Sequence, residues 1–265
     1  MPKIGDTVYY RAEDEEHSGI ERSCPTVDEH FRYVPKCLLW RACAFVVYRL
    51  IITPFAFLWC KLKFRHKIKN KRVLRACRDR GLFLYGNHTL MSGDAYIPSL
   101  VTFPKRCYVV VNPQNLSVRG TRNLLKMCGA IPTPTTYRGL RSFSEALEKR
   151  TVQNHAVTVY PEAHIWPYYT GIRPFPETSF TYPVRMDEAV YCFTNTFHRR
   201  RLGKTPKVVT YVDGPFYPDA SLPRGERAKD LRDRVYATMC ARAALSTYAP
   251  ITYIKEETPS SDKEN

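Results

Sequence analysis

Leu82-Phe83-Leu84-Tyr85-Gly86-Asn87-His88-Thr89-Leu90-Met91-Ser92-Gly93-Asp94 is the stretch that decides how this chain folds. Its first four residues are apolar without alternation, which predicts a short strand buried on both faces. A strand that ends in Gly-Asn-His sets an imidazole at the mouth of a sheet, where loops carry ligands. Six positions beyond His88 stands Asp94, with Gly93 before it and Ala95-Tyr96-Ile97 after it. If the chain turns over Ser92-Gly93 into a helix, the Asp94 carboxylate folds back onto the His88 ring. An imidazole held by a carboxylate can take a proton from an alcohol. The competing reading is structural: His88 closes a strand and Asp94 caps the next helix.

Outward from this stretch the pattern alternates. Further strands are expected at Cys107–Val111, Ala156–Tyr160, Val190–Phe193 and Val208–Val212, all short β-branched or aromatic runs. Helices are expected at Thr121–Met127, at Leu140–Lys149 with Leu140, Phe143 and Leu147 on one face, and over 225–246 with Leu231, Val235 and Met239 as an apolar stripe. This order predicts an α/β layered domain with a largely parallel central sheet flanked by helices. The domain is expected over 66–254, with 255–265 as a disordered tail.

The first 34 residues are polar and charged, with Glu13, Asp14, Glu15 and Glu16 in one acidic knot, and are read as an irregular arm without an assigned role. From Cys37 to Phe64 the chain is apolar and aromatic, interrupted by Arg41 and Arg49 and broken by Pro54. The longest charge-free run, Leu50 to Cys60, is 11 residues, against the ~20 that span hydrocarbon. Residues 35–65 therefore read as an amphipathic, membrane-associated helical hairpin lying in the interface, with Trp40, Trp59 and basic residues at its edges. A basic tract follows, from Lys61 and Lys63 through Arg65, Lys67, Lys69, Lys71 and Arg72 to Arg75. It suits an anionic membrane surface; the alternative is a hairpin packed on the domain with a solvated basic face.

With 265 residues, 44% of them hydrophobic, the chain can bury a core. A formal net charge of +16 points to a polyanionic partner: nucleic acid, an anionic membrane or a phosphorylated substrate. No helix-turn-helix, zinc or RNP signature supports nucleic acid as that partner, and the charge clusters beside an apolar segment. Nine scattered cysteines without C-x-x-C spacing fit reduced thiols in a cytosolic setting better than a disulfide frame or a zinc site. No cleavable signal peptide is visible.

After the strand Ala156–Tyr160 comes Pro161-Glu162-Ala163-His164-Ile165-Trp166-Pro167. A carboxylate there shares the ligand edge of a parallel sheet with the His88 loop. Glu162 can accept a hydroxyl proton or hold a cation; taken alone, it reads as a solvated loop acid. Together, the two motifs resemble the glycerolipid acyltransferase family, the 1-acylglycerol-3-phosphate acyltransferases and their relatives. That family carries an Asn-His-(four residues)-Asp block and, roughly 70 residues later, a Phe-Pro-Glu-Gly-Thr-Arg block. The bacterial-type branch with Asn-His-Thr…Gly-Asp and Pro-Glu-Ala-His-Ile-Trp is the most similar. Tyr182-Pro183-Val184 with Val190–Phe193 looks like the family's last apolar block, beside the acyl channel. Gly129-Ala130-Ile131-Pro132 through Arg138 is loosely similar to its glycerophosphate-binding block. The resemblance spans about residues 35 to 215.

What the resemblance implies is transfer of an acyl group from a thioester, acyl-CoA or acyl-carrier protein as co-substrate, to the hydroxyl of a lysophospholipid in phospholipid biosynthesis. It implies no other cofactor and no metal, and a place on the cytosolic face of a membrane. His88 is then the general base and Asp94 its orienting partner, with backbone N–H groups near Gly93 or Ala163 as candidates to hold the oxyanion. The candidate substrate-binding set is Asn87, Thr89, Arg138, Glu162, Ala163 and Arg173. Two departures stand out. Five residues, not four, separate His88 from Asp94, and Ala163-His164-Ile165 replaces Gly-Thr-Arg, removing the family's phosphate-binding Arg. Arg173 is the nearest replacement and Arg138 the next. Rival readings are a catalytically silent lipid-binding relative, a nucleic-acid-binding module, and a hydrolase, for which no Gly-x-Ser-x-Gly elbow is present.

Overall fold

The computed structural model describes residues 2–17, 19, 23–118 and 120–256. Among the described residues, nine strands lie in two sheets. β1 (Thr7–Tyr10) pairs in parallel with β9 (Thr252–Lys255) as a small separate sheet. The main sheet holds β2 (Lys67–Lys69), β3 (Leu82–Gly86), β4 (Cys107–Val111), β5 (Ala130–Pro132), β6 (Ala156–Val159), β7 (Val190–His198) and β8 (Lys207–Phe216). Its order is β2-β8-β7-β3-β6-β4-β5, and every pairing is parallel except β7 with β8. The largely parallel sheet expected from the alternating pattern is therefore present. β3 lies inside it, between β6 and β7.

That placement explains the uniformly apolar run. Leu82 and Leu84 face one side of the sheet, and Phe83 and Tyr85 the other. All four are at most 1% exposed. The first side packs on Ala56, Cys60 and Phe64 of the N-terminal helix and on Leu100 and Val101. The second packs on Phe143 and Leu147 of the helix Gly139–Val152 and on Leu231, Val235 and Met239 of the helix Arg227–Ala243. Burying each such side chain stabilises the fold by about 2 kcal/mol. All nine cysteines are unbonded.

The expected helical hairpin is not found. Residues Leu38–Phe64 form one continuous helix of 27 residues, long and apolar enough to cross a membrane by length and composition alone. The reason lies at its centre. Val47–Ile52 takes a π-helical turn, and Pro54 falls at the start of the α-helical segment Thr53–Phe64. The wider turn accommodates the missing proline N–H. Both the N–H and the hydroxyl of Thr53 donate to the Tyr48 carbonyl, the hydroxyl at 2.7 Å. The buried stripe runs Ala44, Tyr48, Thr53, Ala56, Cys60, Phe64, with its one step of five across the π turn. Arg49, expected to interrupt the segment, reaches back to the Pro104 carbonyl and over the Phe103 ring. The outer face keeps Leu38, Leu39, Phe45, Leu50, Phe57 and Leu62 more than half exposed.

Three other expectations shift. The basic tract is largely folded: Lys67–Lys69 is an edge strand, and Lys71–Cys77 is a 3₁₀ helix. Edge lysines of this kind also block further strand pairing. Residues 7–10 of the arm form a strand instead of staying irregular. At the other end, β9 takes in Lys255, the first residue of the expected tail, and residues 257–265 lie outside the described set.

Candidate active site

At the C-terminal end of β3, Gly86 lies against the Phe193 ring, and a Cβ there would come within 2.1 Å of it. Asn87 follows, 1% exposed. Its amide exchanges two hydrogen bonds with the Asn195 backbone of β7, at 3.1 and 2.8 Å, and so continues the sheet by one side chain. The chain then coils: the N–H groups of Gly93 and Asp94 both donate to the Leu90 carbonyl at 2.9 Å. Glycine at 93 permits this, because a Cβ would stand 2.9 Å from the Leu90 Cβ. The turn thereby absorbs the fifth intervening residue and returns Asp94 to the ring.

His88 Nδ1 meets Asp94 Oδ2 at 2.8 Å. The same carboxylate oxygen accepts the Leu90 N–H at 2.8 Å, which requires an acceptor there and leaves the imidazole to donate. Asp94 is buried, and burial pushes its carboxyl above the usual range, opposed by these hydrogen bonds and the nearby imidazole. Tyr160 completes the cradle: its ring stacks on His88 at 4.5 Å, and its hydroxyl donates to the Asp94 carbonyl at 2.6 Å. The His88 side chain keeps 24% of its surface open. Nε2 is the ring nitrogen that Asp94 leaves unused.

Behind Asp94 runs a buried relay. Asn195 Nδ2 faces Asp94 Oδ1 at 3.5 Å, Thr210 donates its hydroxyl to Asn195 Oδ1 at 2.6 Å, and His66 Nε2 lies 2.7 Å from that hydroxyl. Thr210 has one proton and gives it to Asn195, so His66 must donate from Nε2. Burial, with help from Lys61, pushes the His66 pKa down to about 4, which keeps the ring neutral.

The second motif is built differently. Glu162 is buried, and its oxygens accept the His88 N–H at 3.2 Å, the Arg173 N–H at 3.3 Å and Arg173 Nη2 at 3.4 Å. Burial raises its carboxyl, with Arg173 the main opposing influence. Arg173 is 1% exposed and lies over the Trp166 ring at 4.8 Å. Its Nη1 donates to the Glu13 carbonyl in the N-terminal arm at 2.9 Å, Nη2 also reaches the His164 carbonyl, and Nε is buried without a hydrogen bond. The two loops are also laced by backbone bonds, from Trp166 N to His88 O and from Tyr168 N to Thr89 O. The arm closes over them: Trp166 Nε1 donates to Glu15 O at 2.8 Å, and Tyr253 of β9 stacks on Trp166 at 5.0 Å.

The structure thus brings His88 and Asp94 together and reassigns most of the expected substrate-binding set. Asn87, Thr89, Glu162 and Arg173 are buried framework, not solvent-facing ligands. Arg173, expected to hold the acceptor's phosphate, is 1% exposed and paired with Glu162 at 3.4 Å, so its guanidinium does not face solvent here. Arg138 is exposed, near Glu29 at 3.9 Å, and follows β5. β5 is three strands from β3, on the order of 15 Å away. Ala163 is exposed with φ +62°, and the His164 N–H donates to Glu162 O across it at 2.7 Å. The N–H groups of Gly93 and Ala163, expected to hold an oxyanion, donate instead to Leu90 O and Tyr160 O. Tyr182-Pro183-Val184 lies in the short helix Thr181–Met186, packed on the second face, away from the His88 side. Sequence reasoning missed Tyr160, Asn195, Thr210 and His66, and also Lys63, whose Nζ donates to Ser92 Oγ at 3.0 Å inside the His88–Asp94 turn. Only Tyr160 carried a local signal, as the last residue of the expected strand Ala156–Tyr160.

No protein-family model and no curated protein matches the chain. Among solved structures it is similar to the crystal structure of the 1-acyl-sn-glycerophosphate (LPA) acyltransferase PlsC from Thermotoga maritima, with a TM-score of 0.51 and 15% identity. The match covers 80% of this chain and 98% of that one. At this identity the likeness is one of fold: the layered sheet, its flanking helices and the long apolar N-terminal helix form a PlsC-like architecture.

Proposed function

We propose that the protein is an O-acyltransferase that moves a fatty acyl group from a thioester, acyl-CoA or an acyl-carrier protein, to the hydroxyl of a lysophospholipid. The observation that carries this reading is the 2.8 Å pair of His88 and Asp94, with the ring stacked on Tyr160 and still partly open. His88 Nε2 takes the hydroxyl proton as the alcohol oxygen attacks the thioester carbonyl. The C–O bond forms, the C–S bond breaks, and the imidazolium returns its proton to the departing thiolate. Asp94 holds the tautomer and stabilises the transient charge. No acyl-enzyme is needed, because the thioester is already activated.

The fold of an acyltransferase and an exposed apolar helix beside the dyad both support a lipid acceptor. Lys63 is the cation placed to meet its phosphate. It stands at the dyad's turn, next to Trp59 at 4.9 Å, where the exposed helix face ends. A lysophospholipid with its chain along Phe55, Trp59 and Leu62 would set its phosphate there. The same face suits a helix lying in the membrane interface, since the opposite face is covered by the domain.

The test is acceptor-dependent thiol release. Purified protein in detergent is given palmitoyl-CoA with and without lysophosphatidic acid, and the lipid product is weighed by mass spectrometry. Thiol release that requires the acceptor and disappears in His88→Ala is expected. Release indifferent to the acceptor would make the protein a thioester hydrolase, and no transfer from any thioester to any lysolipid would leave a lipid-binding protein in its place.

A further inference from the structure

At the opposite end of the sheet from His88 lies an open cleft of about 1650 Å³. Its walls are the first turns of the long helix, the 3₁₀ helix Lys71–Cys77, the approach to β4 and the end of the helix Gly139–Val152. His155 and Tyr160 flank β6, so this cleft and the His88 stack are separated by about 15 Å, the length of that strand. The cleft is not part of the reaction site.

Its charge is unbalanced. Eleven Lys or Arg side chains line it against one carboxylate, Asp79. Among the described residues, none of the eleven forms an ion pair, whereas other arginines do, such as Arg80 with Glu188 and Arg242 with Asp213. The innermost two are Arg106 and Arg150, over the Tyr108 ring at 5.1 and 4.2 Å. Arg150 is 8% exposed, its nearest partners are neutral (Gln153 Oε1 and Tyr33 O), and the Nε atoms of both arginines are buried without a hydrogen bond. Burial lowers the pKa of Lys71 and Arg150. Burial first, then Arg150, Arg106 and Lys105, pushes His155 down to about 4. Positive charge this crowded and this dry is stabilised by an anion. Apolar side chains stand among these cations: Leu38 and Phe45 beside Arg41 and Arg49 on the long helix, Leu74 between Arg72 and Arg75, and Phe103 under Arg49 and Lys71.

We propose that this cleft binds an anionic glycerophospholipid, with the headgroup phosphate against Arg106 and Arg150 and the acyl chains along Leu38, Phe45 and Phe103. The cations alone would serve any phosphate, and the apolar side chains among them select one that carries chains. The protein is then held to an anionic bilayer by a defined site, independently of turnover.

The experiment compares two charge-matched double variants in the full chain. R75E/K149E reverses two exposed cleft cations, and R201E/K204E reverses two exposed cations outside it. Binding is measured to phosphatidylcholine vesicles with and without phosphatidylglycerol, to dihexanoyl phosphatidylglycerol below micelle formation, to inorganic phosphate and to a single-stranded RNA. Expected are a tenfold or larger loss on phosphatidylglycerol vesicles for the cleft variant, a change within twofold for the other, and wild-type binding by His88→Ala. The short-chain lipid should bind at least tenfold tighter than phosphate. Equal losses in both variants would mean diffuse charge attraction and overturn the site. Equal affinity for phosphate and lipid would overturn the amphiphile. A cleft variant that loses RNA but keeps vesicles would assign the cleft to nucleic acid.

Discussion

Two turns leave the same edge of the sheet from neighbouring strands, and each carries one buried carboxylate, yet they end in opposite conditions. After β3, Asp94 holds a histidine with a quarter of its side chain in the open. After β6, Glu162 holds an arginine that is sealed beneath Trp166 and the N-terminal arm. The difference lies in what remains to be satisfied. In the first turn a ring nitrogen is left free of the carboxylate. In the second, Glu162 is taken up by the His88 N–H and by Arg173, whose Nη atoms also reach two carbonyls, and the Nε that lacks a partner is shut away from solvent. A carboxylate at a strand end is therefore no guide to chemistry until its partner's remaining valences are known. The first turn leaves a ring nitrogen open for the proposed chemistry, and the second holds the first in place.

The strongest way to break this contrast is Arg173→Ala. It strands a buried carboxylate, so urea unfolding should show about 3–5 kcal/mol of lost stability, with activity falling only as the folded fraction falls. A variant that folds like the wild type but shows a raised acceptor KM would return Arg173 to the substrate site and erase the distinction.

Next in size is a pH effect from the relay behind Asp94. His66 is held near pKa 4 in the fold, and an unfolded histidine titrates near ~6.5. Between those values the unfolded chain binds the extra proton, so stability falls as pH drops from about 6.5 to about 4, by ~3 kcal/mol in all. His155, also held near 4, acts in the same direction. Asp94 and Glu162, raised by burial, take protons more readily when folded and oppose it. The readout is therefore the difference between wild type and His66→Gln in urea titrations across that range. The variant's pH slope should be shallower. Parallel curves would mean that His66 is not buried neutral behind the dyad.

The smallest expected effect concerns Lys63. Its removal to Ala should raise the acceptor KM roughly tenfold and leave the donor KM unchanged, as for one charge-assisted contact to a phosphate. Unchanged acceptor KM would move the phosphate elsewhere on the open side of the first turn.

How much of this was legible in the sequence follows the same division. The first turn is local: five residues separate His88 from Asp94, and Leu82–Tyr85 names its own strand by being apolar on both faces. The alternation of strands and helices likewise gave the layered sheet. The second turn is not local. Arg173 is explained by Glu13, 160 residues away, and Trp166 by Glu15, 151 residues away, and no spacing rule reaches that far. His66 meets Thr210 across 144 residues. The strands β2 and β5, three residues each, are too short to show a period. The long helix was misread as a hairpin because Pro54 is a breaker only in α register, and the π turn before it changes the register.

The most direct test of the central claim is a double-mutant cycle on the first turn, with folding checked in every variant. His88→Ala should lower kcat by roughly 10²–10⁴-fold. Asp94→Asn should cost nearly as much, because it permits the wrong tautomer. The double variant should be little worse than His88→Ala alone, as expected for residues that act as one unit. Additive losses would show that the 2.8 Å contact has no part in the reaction, and full activity in His88→Ala would remove the base on which the account depends.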